Sequence, residues 1–208
     1  QFEEGTAATP YIPYGLSVSK PSQRGLVLDG KDDYLRYQGF AEFANRNFSI
    51  ESIFTWEGTN AVDNAQQTIF SCGDIRFGIN NQATGYVGAY TPASNWLTTA
   101  IDLRKGSTHK MKVVYTPTKF SLYINDVFVV DKAYSGAIAP YSQAFIGNLG
   151  GGSYFFNGKI HTLKVTIEDK PVIDLDFNSP GDIRGNTIID KVGAVATVLG
   201  NPVQLNKP

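Results

Sequence analysis

The sequence predicts an all-β fold, an antiparallel two-sheet β-sandwich. Three observations carry that prediction. From residue 25 onward, apolar and polar residues alternate with period two in stretch after stretch, as half-buried strands require. Gly, Asn and Asp punctuate those stretches, and 21 Gly and 10 Pro in 208 residues suit short strands joined by tight turns. No long segment repeats its apolar residues at helical spacing.

The elements follow in order. Residues 1–22 are expected to form an extended connector. Gly5, Pro10 and Pro13 fall there without a period, and each proline fixes φ and removes a backbone donor. Residues 23–208 are expected to form one domain, long enough for a substantial core. Gly25 to Leu28 reads as a strand running into an Asp29-Gly30 turn and an acidic corner, Asp32-Asp33. Tyr34 then restarts the alternation. A short helical turn is expected over 39–45.

Phe48, Ile50, Ser52, Phe54 and Trp56 share one strand face, with Trp56 in the core. Ile75, Phe77 and Ile79 alternate with Arg76, Gly78 and Asn80, and Tyr86, Gly88 and Tyr90 with Val87 and Ala89. Thr91 to Leu97 is expected to be a loop. Met111, Val113 and Tyr115 mark a core strand. Leu122-Tyr123-Ile124 leads into a hairpin at Asn125-Asp126, with Val127 to Val130 returning. Phe145-Ile146-Gly147 follows, and Phe156 to Ile160 is expected to contain a turn. Ile160 to Ile167 and Val172 to Phe177 complete the set, with Glu168-Asp169 a solvated turn between them.

Composition narrows the function. Lys plus Arg is 18 and Asp plus Glu is 19, a formal charge of -1 with no basic block, which argues against nucleic acid as a partner. No apolar run reaches membrane-spanning length, so no membrane insertion is expected. Cys72 is the sole cysteine, so no intrachain disulfide can form, and a small buried core residue is its expected role. With one Cys and two His, the chain is poor in zinc ligands.

Several fragments occur in a set order: Leu28-Asp29-Gly30 with Asp33-Tyr34, Phe48-x-Ile50-Glu51, His109-x-x-x-Val113-x-Tyr115, Leu122-Tyr123-Ile124-Asn125, Ile146-Gly147-Asn148 and Phe156-Asn157-Gly158-Lys159-Ile160. In that order they resemble the laminin-G-like, concanavalin A-like jelly roll. The resemblance implies a module that binds glycans or proteins, in a fold of which only some branches are enzymes. It also implies a calcium ion at the sandwich edge. Asp32 and Asp33, with Asp29 close by, are the first candidate ligands and Asp126 another. The alternative is turn chemistry, in which Asp bonds its own backbone.

The run Gln1 to Tyr14 resembles the closing element of β-sandwich modules in phage and prophage tail and baseplate proteins. That implies a virion or extracellular location, other tail subunits as partners, and a homo-oligomer.

Catalytic signatures are missing. Jelly-roll glycosidases need two facing carboxylates. Glu51 has Ile53, not Asp, two residues on, and no Gly-x-Ser-x-Gly elbow exists. Asn148-Leu149-Gly150-Gly151-Gly152 lies between strands and reads as a β-turn rather than a phosphate loop. His109 is expected to be structural and His161 to line a strand edge.

The candidate binding residues are Arg76, Asn80, Tyr86 and Tyr90, which alternation places opposite the core, with Asn95 and Trp96 in the loop that follows. Aromatic rings stack on the C–H faces of sugars, and amide and guanidinium groups bond their hydroxyls. The alternative is that Trp96 anchors its loop. The expected function is a non-catalytic carbohydrate- or receptor-binding module that takes a cell-surface glycan or receptor. The alternatives are a structural or decoration domain of a virion protein, and a glycan-cleaving enzyme.

Overall fold

The structure is a computed structural model that describes residues 24–40, 43, 46–59, 66–73, 75–81, 86–91, 95–103, 105–133, 138, 141–150, 152–177, 183–184, 186–200 and 202–205. The connector expected over 1–22 lies outside the described residues, as does most of the turn expected over 39–45.

The strands are β1 (Gly25–Asp29), β2 (Tyr34–Gln38), β3 (Phe48–Trp56), β4 (Gln67–Cys72), β5 (Ile75–Asn81), β6 (Tyr86–Thr91), β7 (Asn95–Asp102), β8 (Thr108–Thr116), β9 (Lys119–Ile124), β10 (Val127–Ala133), β11 (Gln143–Ile146), β12 (Asn157–Ile167), β13 (Lys170–Asp176), β14 (Ile183–Arg184), β15 (Thr187–Ile189), β16 (Val195–Leu199) and β17 (Val203–Leu205). They form two antiparallel sheets. One has eight strands in the order β10-β9-β8-β3-β12-β1-β17, with β13 also paired to β12. The other has nine, in the order β14-β15-β16-β2-β11-β4-β5-β6-β7. The expected sandwich is what forms, a concanavalin A-like jelly roll.

Period two decides which side chains meet between the sheets. Phe48, Ile50, Phe54, Met111, Val113 and Leu163 face inward from the eight-stranded sheet, and Leu35, Tyr37, Phe70, Phe77 and Ile146 from the nine-stranded one. All are buried. Phe43 bridges the two, its ring 4.6 Å from Phe48 and 6.3 Å from Phe70. Burying each such side chain stabilises the fold by about 1.5–3 kcal/mol. Cys72 is buried among them, and burial pushes its thiol pKa up to about 12. That is the inert core role its isolation suggests.

Three local features depart from expectation. Asn157-Gly158 is not a turn: β12 runs straight through it. Gly158 pairs with Leu28 on one side and Trp56 on the other, and a Cβ there would stand 2.2 Å from the Thr55 carbonyl oxygen. The glycine marks a close backbone approach. Trp96 belongs to β7 rather than to a loop, because β6 and β7 pair as a hairpin with Tyr90 opposite Trp96. His161 is not at an edge. It is the extra residue of a bulge in the β12–β3 pairing, at the point where β12 exchanges β1 for β13 as its other neighbour. There Nδ1 meets the Arg24 carbonyl at 2.6 Å and Nε2 meets Thr55 Oγ1 at 2.9 Å. Burial holds its pKa below the usual imidazole value.

Asp190 ties the sheets together at one end. Its carboxylate accepts from the backbone N–H groups of Asp174 on β13 and of Val192 and Ala194 in the turn, and contacts the Tyr37 hydroxyl on β2 at 3.5 Å. Burial, reinforced by this carboxylate, keeps the Tyr37 phenol protonated well above its ordinary range.

Candidate functional site

The candidate site lies on the outer face of the nine-stranded sheet. Ile75, Phe77 and Ile79 are buried toward the core, which turns Arg76 outward, and Val87 and Ala89 do the same for Tyr90. Arg76 pairs across the ladder with Tyr90, and Tyr90 with Trp96. The Arg76 guanidinium carbon stands 5.0 Å from the centroid of the Tyr90 ring and 6.0 Å from that of Tyr154. Both distances fall within cation–π range.

Tyr154 arrives from the glycine-rich segment after β11. Leu149 bridges Ser153, its N–H donating to the Ser153 carbonyl at 2.9 Å. The Thr68 N–H then donates to the Tyr154 carbonyl at 2.8 Å, pinning the segment across the sheet. Tyr154 itself has φ 54, a left-handed backbone that costs a bulky residue roughly 1–2 kcal/mol. Its neighbour Phe155 is buried, 6.3 Å from the Tyr34 ring. The sheet beneath needs a glycine to accept this geometry. β4 bulges between Thr68 and Phe70, and a Cβ on Gly78 would lie 2.3 Å from the Gln67 carbonyl oxygen.

The predicted binding residues divide into two groups. Arg76, Tyr90 and Trp96 sit on adjacent strands at one level, with Asn95 paired to Thr91 next to them. Asn80 and Tyr86 lie four residues further along their strands, roughly 13 Å away. The side chains of Tyr86, Asn95 and Trp96 lie outside what is described. Tyr154 was missed by sequence reasoning. No strand pattern marks it; only the folded-back segment brings it to Arg76.

The acidic corner Asp29, Asp32 and Asp33 carries the chain from β1 in one sheet to β2 in the other. One carboxylate oxygen from each lies within 4.8 Å of the others. Hard oxygens of this kind suit Ca²⁺, which needs six to eight of them. The turn itself already engages the group. Asp33 Oδ2 accepts the Asp29 N–H at 3.1 Å, Asp29 Oδ1 accepts the Lys31 N–H at 2.9 Å, and the Lys31 ammonium is 3.8 Å from Asp29. Asp126, the other candidate, is bound by Lys110 Nζ at 2.7 Å in the β9–β10 turn, where Asn125 and Asp126 adopt the left-handed φ of 50 and 65 that such a hairpin demands.

Glu51 is likewise engaged, with Lys110 at 3.4 Å and Lys112 at 3.9 Å. Among the described residues no helix is long and apolar enough to cross a membrane.

A family model described as the concanavalin A-like lectin/glucanases superfamily, of the laminin G type, matches residues 29–167. The chain belongs to that superfamily. Solved relatives share its fold at low identity. A Bacteroides ovatus protein, provisionally described as carbohydrate binding, is 14% identical with a TM-score of 0.68; the match covers 91% of this chain and 62% of that one. The heptameric SAP-like pentraxin of Limulus polyphemus is 17% identical with a TM-score of 0.63, covering 88% of this chain and 94% of the pentraxin. Tailspike protein 2 of the Escherichia coli O157:H7 bacteriophage CAB120 is 11% identical with a TM-score of 0.51, covering 74% of this chain and 26% of the tailspike. No curated protein matches the chain in sequence.

Proposed function

We propose that this domain is a non-catalytic glycan-binding module whose site is the outer face of the nine-stranded sheet around Arg76, Tyr90 and Tyr154. One observation carries the reading: a guanidinium lies between two tyrosine rings on a sheet face, and one of those rings is held there by a strained backbone. Strain of this kind persists where a position matters, and aromatic faces with a nearby fork of donors are what a sugar ring and its hydroxyls require. The Bacteroides relative's description is consistent with this class of ligand. Glu51 and Asp126 share Lys110, which suits a salt-bridged surface rather than acid–base catalysis.

The setting we propose is extracellular or virion-borne, on the resemblance of residues 1–14 to tail-protein modules. There, weak single sites gain avidity when copies assemble. Calcium at Asp29, Asp32 and Asp33 is a proposal that a chelator tests.

The test is a broad glycan array probed with the purified domain, with calcium and then with chelator. Binding lost in Tyr90→Ala and Arg76→Gln variants that still melt normally supports the site. Silence on all glycans, from a folded sample, overturns it. A second reading, a structural virion domain, rests on the exposed Ile189, Val192 and Val195 beside a groove of about 420 Å³ lined by Phe40, Pro171 and Val172. Concentration-dependent assembly without glycan binding would favour it.

A further inference from the structure

The ladder that pairs Arg76 with Tyr90 continues the other way across the sheet. Arg76 pairs with Ser71, Ser71 with Phe145, Phe145 with Arg36, and Arg36 with Thr197. Cross-strand partners share a face, so one transverse row runs Thr197, Arg36, Phe145, Ser71, Arg76, Tyr90. Burial agrees: Leu35 and Tyr37, on either side of Arg36, are in the core, as are Ala144 and Ile146 around Phe145. Arg36 and Arg76 are three strand spacings apart, roughly 14 Å.

These two arginines share an unusual condition. The Nε of each is buried and has no hydrogen-bond partner. Neither guanidinium takes part in any ion pair among the described residues, and the row between them carries no carboxylate. A buried guanidinium Nε left without an acceptor is costly, and the guanidinium's rigid fork of donors matches a planar or tetrahedral oxyanion. Between the two lies Phe145, half-buried, with Tyr34 6.2 Å from its ring. Ser71, also between them, is buried and donates its hydroxyl to the Asn148 carbonyl at 2.9 Å, so the row presents cation, apolar ring, cation and aromatic ring.

We infer that the ligand is an acidic oligosaccharide, held by its carboxylate or sulfate groups at Arg36 and Arg76 while sugar rings lie over Phe145 and Tyr90. This inference rests on the glycan-binding reading and narrows it to a charged ligand class. It also adds Arg36, to which the same period-two argument applies as to Arg76. The near-neutral whole chain does not oppose it, since the charge is local to one row.

The test measures affinity by titration calorimetry for a uronic-acid hexasaccharide, its carboxyl-reduced neutral counterpart and a sulfated hexasaccharide. The expected result is binding to one or both acidic forms, at least tenfold weaker binding to the reduced form, and weakening as salt rises. Arg36→Gln and Arg76→Gln should each lower acidic-ligand affinity about tenfold. The retained charge in Arg36→Lys, without the fork, should give an intermediate loss, and this variant serves if Arg36→Gln does not fold. Preference for the acidic sulfated form over the uronic form, or the reverse, identifies the oxyanion. Equal affinity for acidic and reduced forms overturns the inference while the glycan reading stands. Affinity unchanged in both Arg36 variants overturns the role of Arg36. No affinity for any of the three, together with a silent neutral array, overturns both.

Discussion

The two sheets present opposite kinds of surface to solvent. On the eight-stranded sheet a row of cross-strand partners runs Phe128, Tyr123, Lys112, Glu51, Lys164, Asp174. Its charges alternate and pair, as in Lys112 with Glu51 and Lys164 with Asp174. Every ion pair among the described residues draws its carboxylate from a strand or turn of this sheet. On the nine-stranded sheet the equivalent row has two arginines, aromatic rings and no acid. A self-neutralised face keeps a β-protein soluble and has little left to offer a ligand. A face whose arginines have ring neighbours but no carboxylate leaves the role of counter-ion to something else.

The largest change to this contrast should come from Gly78→Ala. The added Cβ collides with backbone at the β4 bulge, so the substitution should cost about 1–3 kcal/mol in denaturant unfolding and abolish glycan binding together. Arg76→Gln should weaken binding at least tenfold, about 1.4 kcal/mol, with little change in melting temperature. Equal loss from Lys112→Gln, on the other face, would break the comparison. Next is Tyr154→Asn. Asparagine tolerates the left-handed backbone at φ 54, so stability should not fall, while loss of the ring should weaken binding several-fold by calorimetry.

A smaller effect concerns pH and belongs to the eight-stranded sheet. The folded pKa of His161 is depressed by burial, so the unfolded chain takes up its proton first as pH falls below about 6.5. The stability it contributes is complete above that value and is lost progressively as pH drops toward the folded pKa. Melting curves between about pH 7 and 5 should show the loss, and His161→Gln should flatten that part of the profile. The smallest effect is expected for Lys112→Gln, within about 0.5 kcal/mol of wild type and without effect on binding, because exposed pairs contribute little.

Much of this was legible from residue order. The alternation around Phe54, Phe77 and Met111 correctly assigned their inward faces, and Asn125-Asp126 announced its hairpin. The outward direction of Arg76 and Tyr90 followed from the same rule. Gly158 and Trp96 misled for a common reason: an Asn-Gly pair and a segment with Pro92, Ser94 and Asn95 favour turns locally, but pairing on both sides kept one in a strand, and a hairpin absorbed most of the other. β4, buried along its whole length, carries Gln67, Thr68 and Ser71 without alternating them with its apolar residues, and was not recognised.

By itself the sequence determined the class of fold, the inward face of most strands and the residues free to point outward, because these depend on a two-residue period that any extended chain obeys. Tertiary structure alone decided which outward residues become neighbours. Arg36 and Arg76 are forty residues apart in the chain, and only strand order and register put them on one row. Tyr154 reaches that row because the Thr68 N–H on β4 holds its carbonyl, a long-range contact that no local pattern encodes.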